Sequence, residues 1–236
     1  MTACELLNLL AESFGSDLCK QFVIPEVVSL AEDPVFRVRK STALNFQHIC
    51  RVGGEHELFE RLMPAYVRLS KDDMYRVRKA CAESLSEISK HVSDDIRIGV
   101  LVEIFLRLAQ DHSRLVKQSI LQQTGIFIST LPSRAVGEGL LGYYSSMAVG
   151  PMGDMSIDAE LRYWCAYSFP AVLQTIGAER WDEVKDVYHT LVQSRTASVK
   201  QTLALSLHEI AKILGEKLVE EELIAVFEEM IQVYLD

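Results

Sequence analysis

Six prolines and twelve glycines punctuate 236 residues. That is sparse for a protein of many short strands, whose tight turns draw on these residues. Basic residues are outnumbered, 24 Lys and Arg against 33 Asp and Glu, for a net charge of −9. Nucleic-acid binding rests on a positive field, so this balance argues against it. No apolar run approaches the roughly 20 residues that span a bilayer, and no membrane contact is expected. The opening MTACELLNLLAESFG lacks a basic stretch and carries two glutamates in its apolar pattern, so no secretory leader is expected. The five cysteines (Cys4, Cys19, Cys50, Cys81, Cys165) are odd in number, scattered and without a C-x-x-C pair. They read as small, semi-buried helix residues in a reducing compartment. A soluble, intracellular protein is the expectation.

What is present is a 49% hydrophobic share, enough to bury a core and too high for a disordered chain, and a repeat. The string DPVFRVRKSTALNFQHICR at 33–51 returns as DDMYRVRKACAESLSEISK at 72–90. Asp33, Asp72 and Asp111 are 39 residues apart, as are Val38, Val77 and Val116, and Leu30, Leu69 and Leu108; Pro25 and Pro64 keep the step. A fixed period near 40 is the mark of a helical solenoid. Leu58, Leu62, Tyr66 and Leu69 share one helical face, Val77, Cys81, Leu85 and Ile88 another, with KDDMYR as the turn between them. Each unit therefore reads as an antiparallel helix pair that cannot bury its apolar faces alone. Gly53 and Gly54 read as C-terminal caps of the helix that begins near Val38.

Downstream the step is 38, in Leu161 with Val199 and Gly177 with Gly215. Pro170 falls within a helical pattern and predicts a kink. Leu131 to Asp158 interrupts the period and reads as a loop, a short helix around Leu140 to Met147, and a second loop. The division expected is helix pairs over 1–131 (a partial first unit plus three pairs), an irregular junction over 132–158, and a C-terminal block over 159–236. Gly15 stands 39 before Gly54, so Met1 would start inside a second helix, and Asp236 would end a first one. Uncapped ends of this kind predict self-association or reliance on a partner.

An Asp closing the first helix and Val-Arg opening the second (Asp33 with Val38-Arg39, Asp72 with Val77-Arg78) resemble the HEAT repeat. FRVRKSTALNFQHICRVGG, YRVRKACAESLSEIS, SRLVKQSILQQTGIFIST, WCAYSFPAVLQTIGAERW and TLALSLHEIAKILGEKL together resemble the family of protein phosphatase 4 regulatory subunit 1. That family is similar in architecture to the scaffold subunit of protein phosphatase 2A. The resemblance implies an all-α, α-α superhelix, a HEAT-repeat solenoid of about five helix pairs with truncated ends. It also implies a non-catalytic subunit, without cofactors, that binds a phosphatase 4-type catalytic subunit and directs it to substrate proteins. The cytoplasm, and the nucleus with it, are the compartments to expect. The family carries a long insertion between two HEAT blocks, and here the junction is short.

Several motifs invite a chemical reading. GEGLLG at 137–142 matches G-x-G-x-x-G, but helical repeats flank it instead of the strand that a dinucleotide site requires, so it is assigned to a loop. His208-Glu209 lacks the second histidine of a zincin, since Lys212 stands at i+4. His-Glu pairs also occur in HEAT-like iron hydroxylases, but His56-Glu57 is the one other pair and sits on a first helix. Asp33, Arg39, Asp72, Arg78, Asp111 and Lys117 recur by whole repeats and predict a ladder of ion pairs and backbone bonds along the turn edge. Stacking also aligns the intra-repeat turns on one ridge: Phe36 and Arg37, Asp73, Tyr75 and Arg76, His112 and Arg114. Aromatics beside arginines compose interface hot spots, although Phe36 and Tyr75 could simply close the core. By the resemblance, this ridge is where a catalytic subunit would sit. A generic HEAT adaptor in assembly or transport, and a HEAT-like iron hydroxylase, are the rival readings.

Overall fold

The computed structural model describes residues 17–224 apart from 53 and 151–154, with the backbone alone at 155–158, together with 6, 7, 9, 10, 13 and 226–228. Met1, Cys4, Gly15, Gly53 and Asp236 lie outside the described residues. Among those described, all regular structure is helical, and no helix is long and apolar enough to cross a membrane. The chain divides into two compact units, Met1–Gln123 and Thr124–Asp236.

The first unit holds α1 (residues 19–30), α2 (Phe36–Val52), α3 (residues 55–69), α4 (Tyr75–Ser89), α5 (residues 94–109) and most of α6 (Arg114–Ser129). The apolar stripes place these helices. Leu58, Leu62, Tyr66 and Leu69 of α3 and Val77, Cys81, Leu85 and Ile88 of α4 are all buried, each large side chain contributing about 1.5–3 kcal/mol. Phe46 of α2 lies against Tyr66, ring centroids 5.1 Å apart. The Tyr66 hydroxyl donates to the Cys81 carbonyl at 2.7 Å and lies 3.0 Å from Ser84 Oγ, so the largest core side chain also satisfies its polar end.

The first helices share a detail that the periodicity does not announce. α1, α3 and α5 each contain one widened turn, in which Ile24, Met63 and Val102 donate to the fifth carbonyl back, Cys19, Leu58 and Arg97. Pro25 and Pro64 immediately follow this turn, where a missing donor costs little. Glu103 holds the same place in α5, so proline accommodates the widening and does not cause it.

The second unit holds the end of α6, α7 (Glu138–Val149), α8 (Met155–Ile176), α9 (Lys185–Val192) and α10 (Ala197–Leu218). The GEGLLG stretch assigned to a loop is helical from Glu138 onward, and α7 is longer than the Leu140–Met147 helix expected. Leu140, Leu141, Tyr144, Met147 and Ala148 bury a continuous face there, and this outweighs the low propensity of Gly139 and Gly142. Tyr144 lies two periods of 39 beyond Tyr66, with buried Phe105 between them. Its hydroxyl donates to the Cys165 carbonyl at 2.7 Å, the counterpart of the Tyr66–Cys81 bond. The stretch ahead of α7 is tied down by Arg180, which donates to the carbonyls of Ser133 at 2.7 Å and Val136 at 2.8 Å.

Gly54 corrects the capping assignment: it is extended (φ −69°, ψ 159°) and precedes α3 as its N-cap. Among the described residues the positive-φ caps are Gly150 (φ +72°), which ends α7, and Gly177 (φ +88°) and Gly215 (φ +75°), the pair 38 residues apart. Gly177 ends α8, and Gly215 breaks the helix inside α10. Only glycine adopts that backbone without strain. Pro170 sits inside α8, which runs unbroken from Met155 to Ile176.

Candidate functional site

Both recurring arginines of the first two turns are paired with an aspartate of the next repeat. Arg39 of α2 donates to both carboxylate oxygens of Asp72, Nε to Oδ2 at 2.5 Å and Nη2 to Oδ1 at 3.0 Å. Its Nη1 reaches back to the Asp33 carbonyl at 2.8 Å. One repeat on, Arg78 of α4 does the same to Asp111 (2.6 and 2.9 Å) and to the carbonyls of Asp72 (2.7 Å) and Asp73 (3.0 Å). Each aspartate also accepts an amide two residues on: Val35 for Asp33, Met74 for Asp72 and Ser113 for Asp111. Partial burial pushes the Asp72 and Asp111 carboxyls up, but the guanidinium and amide donors outweigh it and hold both below the usual carboxylate value. Lys117 is exposed, so the third repeat keeps the aspartate without an arginine in the next rung. This is the predicted ladder, and its chemistry is structural.

Above the ladder stand the turn residues. Phe36 and Tyr75 are half-buried, while Arg37, Asp73, Arg76, His112 and Arg114 are exposed. The structure brings Phe36, Tyr75 and Arg76 together across two repeats. The Arg76 guanidinium carbon lies 5.9 Å from the Phe36 ring centroid and 5.7 Å from that of Tyr75, and Arg76 Nε donates to the Tyr75 hydroxyl at 3.3 Å. Two rings thus hold one cation at the surface, which limits the entropy it would lose on binding. Arg37 lines a groove together with Phe36 and Arg76, and Tyr75 lies outside its lining. His112 and Arg114 occupy the following turn, and neither lines it.

The His-Glu pairs are surface contacts: His56 with Glu57 and His208 with Glu209, each at 3.9 Å. Among the described residues no three His, Cys, Asp or Glu side chains gather. The described cysteines are free and buried; burial raises each thiol, Cys165 to about 12, so none is a ready nucleophile.

Sequence reasoning missed a second exposed feature, in the second unit. Tyr163, Trp164 and Tyr167 of α8 form an aromatic cluster, with Trp164 edge-on to both tyrosines at 5.4 Å. Tyr167 is 59% exposed, and Leu205 of α10, 38 positions later, is 78% exposed. The signal was available: in LRYWCAYSFP, Tyr167 is out of phase with the buried Cys165, Ala166, Ser168 and Phe169.

Antiparallel helix pairs on a period near 39, joined by Asp–Arg rungs, define a helical-repeat protein of the HEAT class, and the HEAT repeat matches residues 62–92. Solved structures agree on the fold. Kap121p superposes with a TM-score of 0.62 at 19% identity, over 86% of this chain and 21% of that one. A designed armadillo-repeat protein superposes at 0.52 and 16% identity, over 89% and 92%. Within that class, the family described as protein phosphatase 4 regulatory subunit 1 middle domain matches residues 165–235. The human and mouse serine/threonine-protein phosphatase 4 regulatory subunit 1 are each 38% identical to it over 92 residues. That similarity spans 39% of this chain and 10% of the length of each relative. The chain is a HEAT-repeat solenoid that resembles this regulatory subunit over part of its length.

Proposed function

We propose that the chain is a non-catalytic regulatory or scaffold subunit that holds a serine/threonine protein phosphatase catalytic subunit of the phosphatase 4 type and directs it to substrate proteins. The observation that carries this reading is the 38% identity to phosphatase 4 regulatory subunit 1, supported by the family match in the second unit. An array of packed helix pairs suits the task. It would present the phosphatase to tethered substrates and raise their effective concentration at its active site, while metals and hydrolytic chemistry stay with the partner. The ridge of Phe36, Arg37, Tyr75 and Arg76 is the surface we assign to the catalytic subunit, because its aromatic–arginine composition is that of a hot spot.

Pull-down of purified phosphatase 4-type catalytic subunit by the full chain tests the reading, with Arg37→Glu/Arg76→Glu and Tyr167→Ala/Leu205→Glu beside the wild type. Capture by the wild type and loss in the first variant supports both partner and ridge. Loss in the second variant alone moves the site to the aromatic cluster. No capture by the folded wild type refutes the phosphatase reading in favour of a generic HEAT adaptor.

A further inference from the structure

Beside the turn ridge, the first unit has an open groove of about 430 Å³ lined by Phe36, Arg37, Lys40, Ser41, Leu44 and Arg76. Its apolar part is the Phe36 ring and Leu44, which is 37% exposed although it lies on α2. Its charged part is three cations, with no carboxylate among the lining residues. Cations without a carboxylate partner are common on this unit's surface, but here three of them line one groove. Arg39, Arg68, Arg78, Lys79, Lys90 and Arg97 each meet a carboxylate. Among the described residues Arg37 and Lys40 meet none, and Arg76 is held by two rings and a hydroxyl. The imbalance is local. Residues 1–123 carry 17 acidic and 16 basic side chains, so no broad positive field surrounds the groove.

We propose that this groove docks an acidic, extended segment of a partner protein, with one apolar side chain between Phe36 and Leu44 and carboxylates on Arg37, Lys40 and Arg76. Converging cations without counter-charge repel one another, and an anionic ligand relieves that repulsion while its apolar side chain covers the exposed leucine. Arg76, held in place by its rings, offers a planar fork for a carboxylate. The inference deepens the partner-binding reading of the same ridge and rests on it for Arg37 and Arg76. Lys40 and Leu44 belong to the groove alone.

Fluorescence anisotropy of the full chain tests it, with a labelled peptide of alternating Glu, Asp and Leu and a counterpart in which every acid is its amide. The acidic peptide should bind about tenfold tighter than the amide. Lys40→Glu should weaken it about fivefold, from a lost attraction plus a new repulsion, and Leu44→Ala should weaken it about threefold. Arg61→Glu, the same charge change at an exposed site on α3, should change it by less than about twofold. Circular dichroism checks folding, and Lys40→Ala replaces the charge reversal if helicity drops. Equal binding of acid and amide peptides, or equal effects of Lys40→Glu and Arg61→Glu, overturns the proposal. Loss of catalytic-subunit capture in Arg37→Glu/Arg76→Glu with no effect of Lys40→Glu on the peptide overturns the groove and leaves the phosphatase reading standing. Peptide binding that depends on Lys40, without phosphatase capture by the wild type, does the reverse.

Discussion

Replacing Arg78 by Ala should be among the costlier single changes in the first unit. Arg78 donates four hydrogen bonds, two to the Asp111 carboxylate at 2.6 and 2.9 Å and two to the Asp72 and Asp73 carbonyls at 2.7 and 3.0 Å. Its side chain is 17% exposed and that of Asp111 is 8% exposed. The four bonds cannot be summed, because turn carbonyls recover water when the guanidinium leaves. The lasting cost is the Asp111 charge left in a mostly buried site, and losing one partner of a buried pair costs about 3–5 kcal/mol. Asp111 keeps the Ser113 amide at 2.8 Å and some access to water, which lowers the expected loss to about 2–4 kcal/mol. Asp111→Asn should cost less, and the double variant should reveal a coupling of about 1–3 kcal/mol. Arg78→Lys should recover less than half of the loss, since a single ammonium cannot serve a carboxylate and two carbonyls in one plane. Urea unfolding followed by far-ultraviolet circular dichroism is the assay. Trp164 and Trp181 both lie in the second unit, so tryptophan fluorescence would not read the rung directly. A loss below about 1 kcal/mol, or singles that add within about 0.5 kcal/mol, would refute the ladder as a stabilising element.

Two further predictions follow from the same structure. Asp72 and Asp111 are held below the usual carboxylate value, so the folded state binds fewer protons than the unfolded one. Their contribution is complete above about pH 5 and is lost as pH falls below about 4 toward the folded value. Asp72→Asn/Asp111→Asn should be less stable at neutral pH yet show a shallower acid slope, as denaturant midpoints across that range would register. Tyr66→Phe strips the Cys81 carbonyl of its 2.7 Å donor and should cost about 1–2 kcal/mol. Tyr188→Phe removes a buried hydroxyl without a partner among the described residues and should be neutral or slightly stabilising. The opposite order in thermal melts would refute the hydrogen-bond account.

The ladder and the stacking were legible because identical residues recur at a fixed step, and both need only their own repeat and the next. α7 was not legible. Its glycines suggest a loop, and the step from Ile120 to Cys165 is 45 instead of 39. The Tyr66–Phe105–Tyr144 series survives that insertion, which lies beyond Tyr144, and was the usable signal. The widened turns of α1, α3 and α5 leave no trace in side-chain type, since Pro25, Pro64 and Glu103 follow them alike. At the ridge, Phe36, Arg37 and Arg76 were found from turn composition. Lys40 and Leu44 were missed because, on the face of a second helix, each alone resembles an ordinary solvated position. Their meaning comes from Arg76, which another repeat delivers.

The rungs also prescribe how such a chain can lengthen or shorten over generations. Arg39 meets Asp72 and Arg78 meets Asp111 across the same separation of 33 residues. Excising 40–78 would leave Arg39 that same distance before Asp111, with the Asp33 carbonyl still behind it to accept Nη1. A whole repeat can therefore be lost or copied and the seam heals with no new residue required. A cut of any other length strands a carboxylate on one side and a guanidinium on the other. The ladder thus acts as a punctuation rule for inheritance, admitting changes of repeat number and resisting changes of frame.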